Sequence, residues 1–178
     1  MGAFSRVLGD FATVQSVYKT QAKTTTLLDA TFQPSKPGYK VTAPDTMLLQ
    51  GVLKSGAAAT INLRAAGAPV DGKGFRWIIS GTEGEIEFTS SVGFIQTSPP
   101  DATIRVRKWS DEAAREVDWN AANRDPSFIG VLDGPAQNLA RAYEAFARGA
   151  GGAYATFETG LEVHRLLAQA TKEAVWAP

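Results

Sequence analysis

The clearest hydrophobic pattern in the chain is the alternation of residues 57–64. The apolar positions are Ala57, Ala59, Ile61 and Leu63, and the alternate, more polar positions are Ala58, Thr60, Asn62 and Arg64. A period of two residues predicts a β-strand with one buried and one more polar face. The preceding segment 46–53 also predicts a strand, and the short turn 54–56 joins the two into an antiparallel hairpin.

Several other segments are rich in β-branched and aromatic residues and predict further strands. These segments are residues 12–26, 75–80, 85–89, 103–109 and 116–119. Residues 33–44 contain three prolines, which predicts a loop or an edge strand. The sequence FRWIISGTEGEIEF at 75–88 predicts a hairpin whose turn, Gly81–Gly84, uses positive φ angles. A strand and not a helix follows this turn, so we expect no phosphate site there.

Apolar residues recur at helical spacing near both ends of the chain. The first such segment, with Phe4, Val7, Leu8 and Phe11 at helical positions, predicts the end of a helix that closes near Gly9. A second helix begins after a capping Asp133 and ends in the glycine-rich segment 149–152. Its predicted inward stripe is Leu139, Ala142, Tyr143, Phe146 and Ala147. A third helix is predicted over residues 156–176, with Phe157, Leu161, Leu167 and Ala170 facing inward.

The order of these elements, strands first and helices last, predicts an α+β fold. We expect a large open, mainly antiparallel β-sheet with helices packed on one face, in a single domain spanning residues 1–178. The chain of 178 residues, 44% of them hydrophobic, is long enough to bury a substantial core.

Composition narrows the classes of function. The 18 basic and 18 acidic residues balance to a net charge of zero, which argues against a nucleic-acid-binding face and against electrostatic attachment to a membrane. The absence of cysteine excludes disulfides and thiolate chemistry, and one histidine leaves little for a metal site. The sequence shows neither a signal-peptide pattern nor an apolar run of membrane-spanning length, so we expect a cytoplasmic protein.

Few residues are candidates for chemistry. No glycine-rich loop lies between a strand and a helix, and no catalytic motif is present, so we expect no cofactor bound by this chain alone. His164 is expected to be a partly buried histidine that donates to a backbone group, with catalysis as the weaker alternative. Arg64, with Asn62 on the same face, could hold a carboxylate or phosphate, although an ordinary exposed arginine is the simpler interpretation.

The carboxylates Glu85 and Glu87 share one face of a predicted strand, and Arg105 and Arg107 share one face of another. Charged residues at alternate strand positions are typical of a solvated outer face, so we expect no paired-carboxylate catalysis here.

Three segments, in order, resemble the C-terminal domain of the Gfo/Idh/MocA oxidoreductases. They are TAPDTMLLQGVLKSGAAATINLR, GFRWIISGTEGEIEFTS and FETGLEVHRLLAQATKEA. The closest similarity is to the branch resembling the fungal galactose/lactose metabolism regulatory protein. The opening FSRVLGDFATVQSVYKTQ is similar to the helix end and first strand of that domain.

The resemblance implies a half-protein that contributes to a substrate pocket and forms a homodimer through its open sheet face. It implies NAD or NADP for a full-length relative, held by an N-terminal Rossmann half that we expect to be absent from this chain. The lysine, histidine and aspartate of the family's catalytic machinery would precede Met1, and His164 matches the histidine of the closing helix instead. We therefore assign no catalytic, cofactor-binding or metal-binding residue.

Three functions remain open on the sequence alone. The first is the substrate-binding and dimerisation half of an NAD(P)-dependent oxidoreductase, inactive alone. The second is a regulatory domain that binds a protein partner. The third is a free-standing protein that binds a small ligand on its open sheet. The coding sequence upstream would discriminate between the first two.

Overall fold

The computed structural model describes residues 1–65, 68–97, 99–119, 131–132, 134–149 and 154–177. Its helices are α1 (Gly2–Leu8), α2 (Gly134–Ala147) and α3 (Phe157–Lys172). Its strands are β1 (Phe11–Lys19), β2 (Thr24–Leu28), β3 (Pro34–Lys40), β4 (Thr46–Leu53), β5 (Ala58–Arg64), β6 (Phe75–Ser80), β7 (Gly84–Ser90), β8 (Thr103–Lys108), β9 (Arg115–Val117) and β10 (Val175–Trp176). A short 3₁₀ helix spans Ile95–Thr97. These elements confirm the α+β class.

Contacts divide the chain into two compact units. The first unit consists of Met1–Ala65 and Ala155–Pro178, and the second consists of Ala66–Tyr154. Within the described residues, hydrogen bonds form a four-stranded sheet in each unit and a separate two-stranded hairpin in the first. All pairings but one are antiparallel, as predicted.

The sheet of the first unit has the strand order β10-β1-β4-β5. Strand β1 runs parallel to β10 and antiparallel to β4, which in turn pairs with β5 through the predicted hairpin. The predicted end of the last helix was wrong, because α3 ends at Lys172 and the chain then turns to form β10. Parallel pairing with β1 accounts for the difference, since Val175 and Trp176 extend the sheet by one strand.

The core of the first unit lies between this sheet and α3. Its buried members are Val14, Tyr18, Leu49 and Ala170. Ser16 is also buried, and its hydroxyl donates to the carbonyl oxygen of Ala170 on the helix. A second side-chain hydrogen bond joins Tyr18 OH to Thr171 Oγ1 at 3.5 Å, so polar and apolar contacts together hold α3 on β1.

The predicted inward stripe of α3 was largely wrong. Only Ala170 of that set is buried, whereas Phe157 is 96% exposed and Leu161 and Leu167 are also exposed. Met47, Ile61, Leu166 and Ala174 pack against the core instead. The spacing alone favoured Phe157, but the helix begins at this residue, directly after its cap Thr156, and its first turn does not reach the core.

At the N-terminus, α1 closes at Gly9 with φ +85°, as predicted. Phe11, which shares the helical spacing, lies beyond this closure. It begins β1, and its ring stacks on that of Phe4 with the centroids 5.3 Å apart.

The sheet of the second unit has the order β6-β7-β8-β9. The predicted hairpin at 75–88 is present, and Gly81 N donates to Gly84 O at 2.8 Å across its turn. The prediction of positive φ at this turn was wrong, because neither glycine has that conformation. Gly84 is needed for close approach instead, since a Cβ there would overlap the carbonyl oxygen of Arg107 on β8.

Helix α2 confirms the second predicted helix, although Asp133 and most of the segment 149–152 lie outside the described residues. Its predicted inward stripe was wrong at the large residues, because Leu139, Tyr143 and Phe146 are each more than half exposed. The Phe146 ring contacts Tyr154 edge to face at 5.7 Å, which is a local contact and not a core.

Residues 12–26 form two strands and not the single strand predicted. Strand β1 ends at Lys19, and β2 pairs with the proline-containing β3 as a two-stranded hairpin in which every strand residue is exposed. Asp45 fixes the base of this hairpin, because its carboxylate accepts from Gln21 N at 3.0 Å and Ala22 N at 2.7 Å. The bond from Gln21 N is the largest cause that holds the pKa of Asp45 below its ordinary value.

We expect Gly51→Ala to lower the free energy of unfolding by about 2 kcal/mol, because its Cβ would overlap the Thr13 carbonyl at the β1 bulge. Gly160→Ala, in α3 with open space around it, is the control, and should raise the same quantity by about 0.5 kcal/mol. Urea unfolding followed by circular dichroism measures both. Equal stability of the two variants would contradict the close approach.

We expect Asp45→Asn to lower stability at neutral pH and to make it less sensitive to acid. The pKa of Asp45 is lowered in the folded state, so its contribution is present above the ordinary carboxyl value of about 3.9 and is lost as pH falls through the lower folded value. Urea unfolding of both proteins at neutral pH and near pH 3 measures the change. Parallel acid profiles for the two proteins would contradict the assigned role.

Candidate functional site

The candidate site is the face of the first sheet that α3 does not cover, called here the open face. Four rows of paired residues cross β1, β4 and β5 on this side. The rows are Thr13–Val52–Ala58, Gln15–Gln50–Thr60, Val17–Leu48–Asn62 and Lys19–Thr46–Arg64. Val175 of β10 pairs with Val17 and extends the third row.

The open face combines apolar patches with amide groups. Leu48 is 41% exposed, and Val17 and Val52 are exposed to a similar degree. The two glutamines of the second row meet side chain to side chain, with Gln50 Nε2 3.4 Å from Gln15 Oε1. The open face therefore offers both apolar contact area and amide hydrogen-bonding groups.

A shallow groove runs over β10, β1 and β4 at one side of the open face. It is lined by Val14, Gln15, Ser16, Val17, Leu48, Gln50, Glu173 and Val175. Glu173, which caps the end of α3, is its only ionisable lining residue. The lining therefore offers shape, amides and one carboxylate, and no pair of groups that could exchange a proton with a substrate.

The structure separates the candidates that the sequence singled out. Asn62 and Arg64 lie on β5 on the open face, as the alternation predicted, and both are exposed. His164 lies on α3, which packs on the opposite side of the sheet, so it does not join the other two. His164 is exposed, so the prediction of a partly buried histidine was wrong, because α3 contributes Leu166 and Ala170 to the core instead.

No cluster of three metal-ligating side chains occurs among the residues that the structure describes. Within the same residues, no helix is long and apolar enough to cross a membrane.

The charged residues of the second sheet lie on a solvent-facing surface, as the sequence predicted. Glu87 lies between Arg76 and Arg105, with nitrogen–oxygen distances of 3.7 Å to each, and Arg76 also contacts Asp71 at 2.6 Å. Ser80 donates to Glu85 at 2.6 Å. These groups satisfy one another on a solvent-facing surface, so they form a structural ion-pair network.

The sequence did not identify Leu48 and Gln50 as part of the site. Segment 46–53 is apolar on both sides of the strand, so the sequence did not show which of the adjacent residues Leu48 and Leu49 faces the core. The clean alternation of β5 could have resolved this, because pairing across the three-residue turn 54–56 places Asn62 opposite Leu48.

The sequence of the chain is similar to that of a known protein family. The model of the Gal80p C-terminal domain family matches residues 1–90, which is half of the chain. The matched segment includes the whole of β1, β4 and β5, and therefore the open face. No curated protein sequence matches the chain.

Solved structures share the fold over 97% of the chain. A super-repressor mutant of Gal80p from Saccharomyces cerevisiae has a TM-score of 0.71 at 15% identity. The transcriptional regulator Gal80p from Kluyveromyces lactis has 0.70 at 16%. Levoglucosan dehydrogenase in its apo form has 0.65 at 20%. The chain spans 45%, 42% and 47% of these three structures, respectively.

A regulator and a dehydrogenase thus share this architecture, and the family match covers the strands β1, β4 and β5 of the open face. The chain belongs to the Gal80p C-terminal-domain-like family, and it shares its fold with part of levoglucosan dehydrogenase.

Proposed function

We propose that this chain is the substrate-binding and dimerisation half of a Gfo/Idh/MocA-type, NAD(P)-dependent oxidoreductase, and that it is not catalytically complete alone. The observation that carries the proposal is the open face, which offers exposed aliphatic and amide side chains in ordered rows. A surface of this kind binds a partner or a ligand, and it lacks a paired acid and base.

The composition of the open face supports the proposed dimerisation. A two-fold axis would place the rows of one copy against the same rows of another, with aliphatic positions between polar ones. Arg64 and Asn62 would then lie near the rim of the interface. Burial of Val17, Leu48 and Val52 would supply the apolar part of the association free energy.

A regulatory domain that binds a protein partner is the second candidate. It is favoured by the family match and by the two Gal80p structures, one of which is described as a transcriptional regulator. The two functions differ in what completes the protein. The enzyme needs a nucleotide-binding half with a catalytic lysine, aspartate and histidine, whereas the regulator does not.

We infer further that the two compact units fold as a single domain and that the protein acts in the cytoplasm. We also infer that NAD or NADP is bound by a separate Rossmann half. Levoglucosan dehydrogenase has been solved with NADH, and this chain covers 47% of that structure. Neither nucleic acid nor a membrane is an expected partner of a chain with zero net charge.

We expect the chain to sediment as a dimer at micromolar concentrations, and Leu48→Glu to weaken self-association by at least about tenfold, because it places a charge in each half of the interface. Arg64→Glu and Asn62→Trp should weaken it less, because both residues lie nearer the rim. Sedimentation velocity over a concentration series measures the dissociation constants.

The matched control is Ile78→Glu, which alters an exposed aliphatic residue in mid-strand on the second sheet. It should leave self-association unchanged. A monomeric wild-type chain, or equal effects of Leu48→Glu and Ile78→Glu, would contradict dimerisation through the open face.

We expect no heat of binding when NAD or NADP is titrated into the chain, because the sequence places no glycine-rich turn between a strand and a helix. A nucleotide-binding dehydrogenase titrated under the same conditions is the positive control. Micromolar affinity for either nucleotide would contradict the assignment of cofactor binding to another half.

A further inference from the structure

We propose that the β2–β3 hairpin is an arm that grips a second copy of this chain, with Phe32 at its tip as the anchor. The inference rests on the proposed dimer and adds to it the element that extends past the open face. The arm is defined as residues 22–41.

The arm needs a partner because it has almost no core of its own. Every residue from Gln21 to Lys40 is exposed, including Leu28 and Tyr39. An isolated two-stranded hairpin is at best marginally stable in water. Its exposed aliphatic and aromatic side chains would be buried if the arm lay on another molecule.

The tip of the arm is built around one carboxylate. Asp29 Oδ1 accepts from Thr31 N at 2.8 Å, from Thr31 Oγ1 at 2.7 Å and from Gln33 N at 3.0 Å. Phe32 N donates to Asp29 O at 3.0 Å, which closes the turn. The hydrogen bond from the Thr31 hydroxyl is the largest cause that lowers the pKa of Asp29.

This turn holds Phe32 in a conformation that costs free energy. Its φ is +62°, a region that bulky residues rarely adopt and that glycine adopts without strain. The side chain is nevertheless an aromatic ring that is 81% exposed. A strained backbone that displays a large apolar group to solvent indicates a function for that group outside its own fold.

The edges of the arm are poorly suited to strand addition. Pro34 and Pro37 lack the N–H groups that a further strand would need, and the register shifts twice between Thr25 and Leu28. The arm should therefore contact its partner through its tip and faces, and should not extend a sheet.

The partner is identified as a second copy by the position of the arm beside the proposed dimer interface. The arm leaves the sheet after β1 and returns before β4, so its base adjoins the last row of the open face, Lys19–Thr46–Arg64. A second copy seated on the open face would therefore lie beside the base of the arm.

The test compares Phe32→Gly with Phe157→Ser in sedimentation velocity on the full chain. Phe32→Gly removes the anchor and relieves the positive φ, so it should raise the dimer dissociation constant by at least about tenfold without lowering thermal stability. Phe157→Ser removes another highly exposed phenylalanine of the same unit and should change the constant less than about twofold. Equal dimer dissociation constants for Phe32→Gly and the wild type would overturn the proposal that the arm grips a second copy.

A second measurement uses the absence of cysteine in the chain. Gln33→Cys carries a benzophenone maleimide beside the tip, and Glu162→Cys carries it on α3 as the control. Irradiation of a mixture of light and isotopically heavy chains should yield light–heavy cross-linked peptides from position 33. Links only within one copy, or equal yields from both positions, would overturn the proposal.

The two proposals fail separately. If Leu48→Glu dissociates the dimer while Phe32→Gly does not, the result supports dimerisation through the open face and contradicts the proposed role of the arm. If Phe32→Gly dissociates the dimer while Leu48→Glu does not, the result supports the role of the arm and contradicts an interface on the open face. A wild-type chain that remains monomeric would contradict both proposals.

Discussion

The packing of α3 on β1 is the contact on which the first unit depends. Strand β1 pairs with β10 on one side and with β4 on the other, so three neighbours meet on one strand. The hydrogen bond from Ser16 to the Ala170 carbonyl and the burial of Val14 and Tyr18 fix which side of that strand faces the helix. Because side chains alternate along a strand, the same choice determines the open face on β4 and β5.

The sequence predicted local structure well wherever the pattern had a single period. The alternation in residues 57–64 gave both the strand and the side on which Asn62 and Arg64 lie. The helix stripes were less successful, because spacing defines a face without saying where along the helix the core begins. Phe157 has the correct spacing and lies outside the core, whereas the small Ala170 is 1% exposed.

Three features depended on tertiary contacts that no local pattern reveals. The strand β10 exists because β1 offers it a parallel edge. Gly84 is required by the nearby Arg107 carbonyl, although its sequence context suggested a turn glycine with positive φ. The arm was predicted as part of a strand and a loop, because exposed residues 24–40 contain no apolar periodicity that could distinguish a free hairpin from a sheet edge.

The hydrogen bonds of several aspartates support the proposed binding role of this chain in preference to a catalytic one. Several aspartates are engaged with backbone N–H groups of nearby turns and loops: Asp29, Asp45, Asp71 and Asp101. Such bonds favour the charged form of a carboxyl group, which makes it a weak base. These aspartates stabilise the turns that shape the molecule, while the open face and the arm display amides, aliphatic groups and one strained phenylalanine. We therefore propose binding, and not proton transfer, as the role of these surfaces in either of the two functions proposed above.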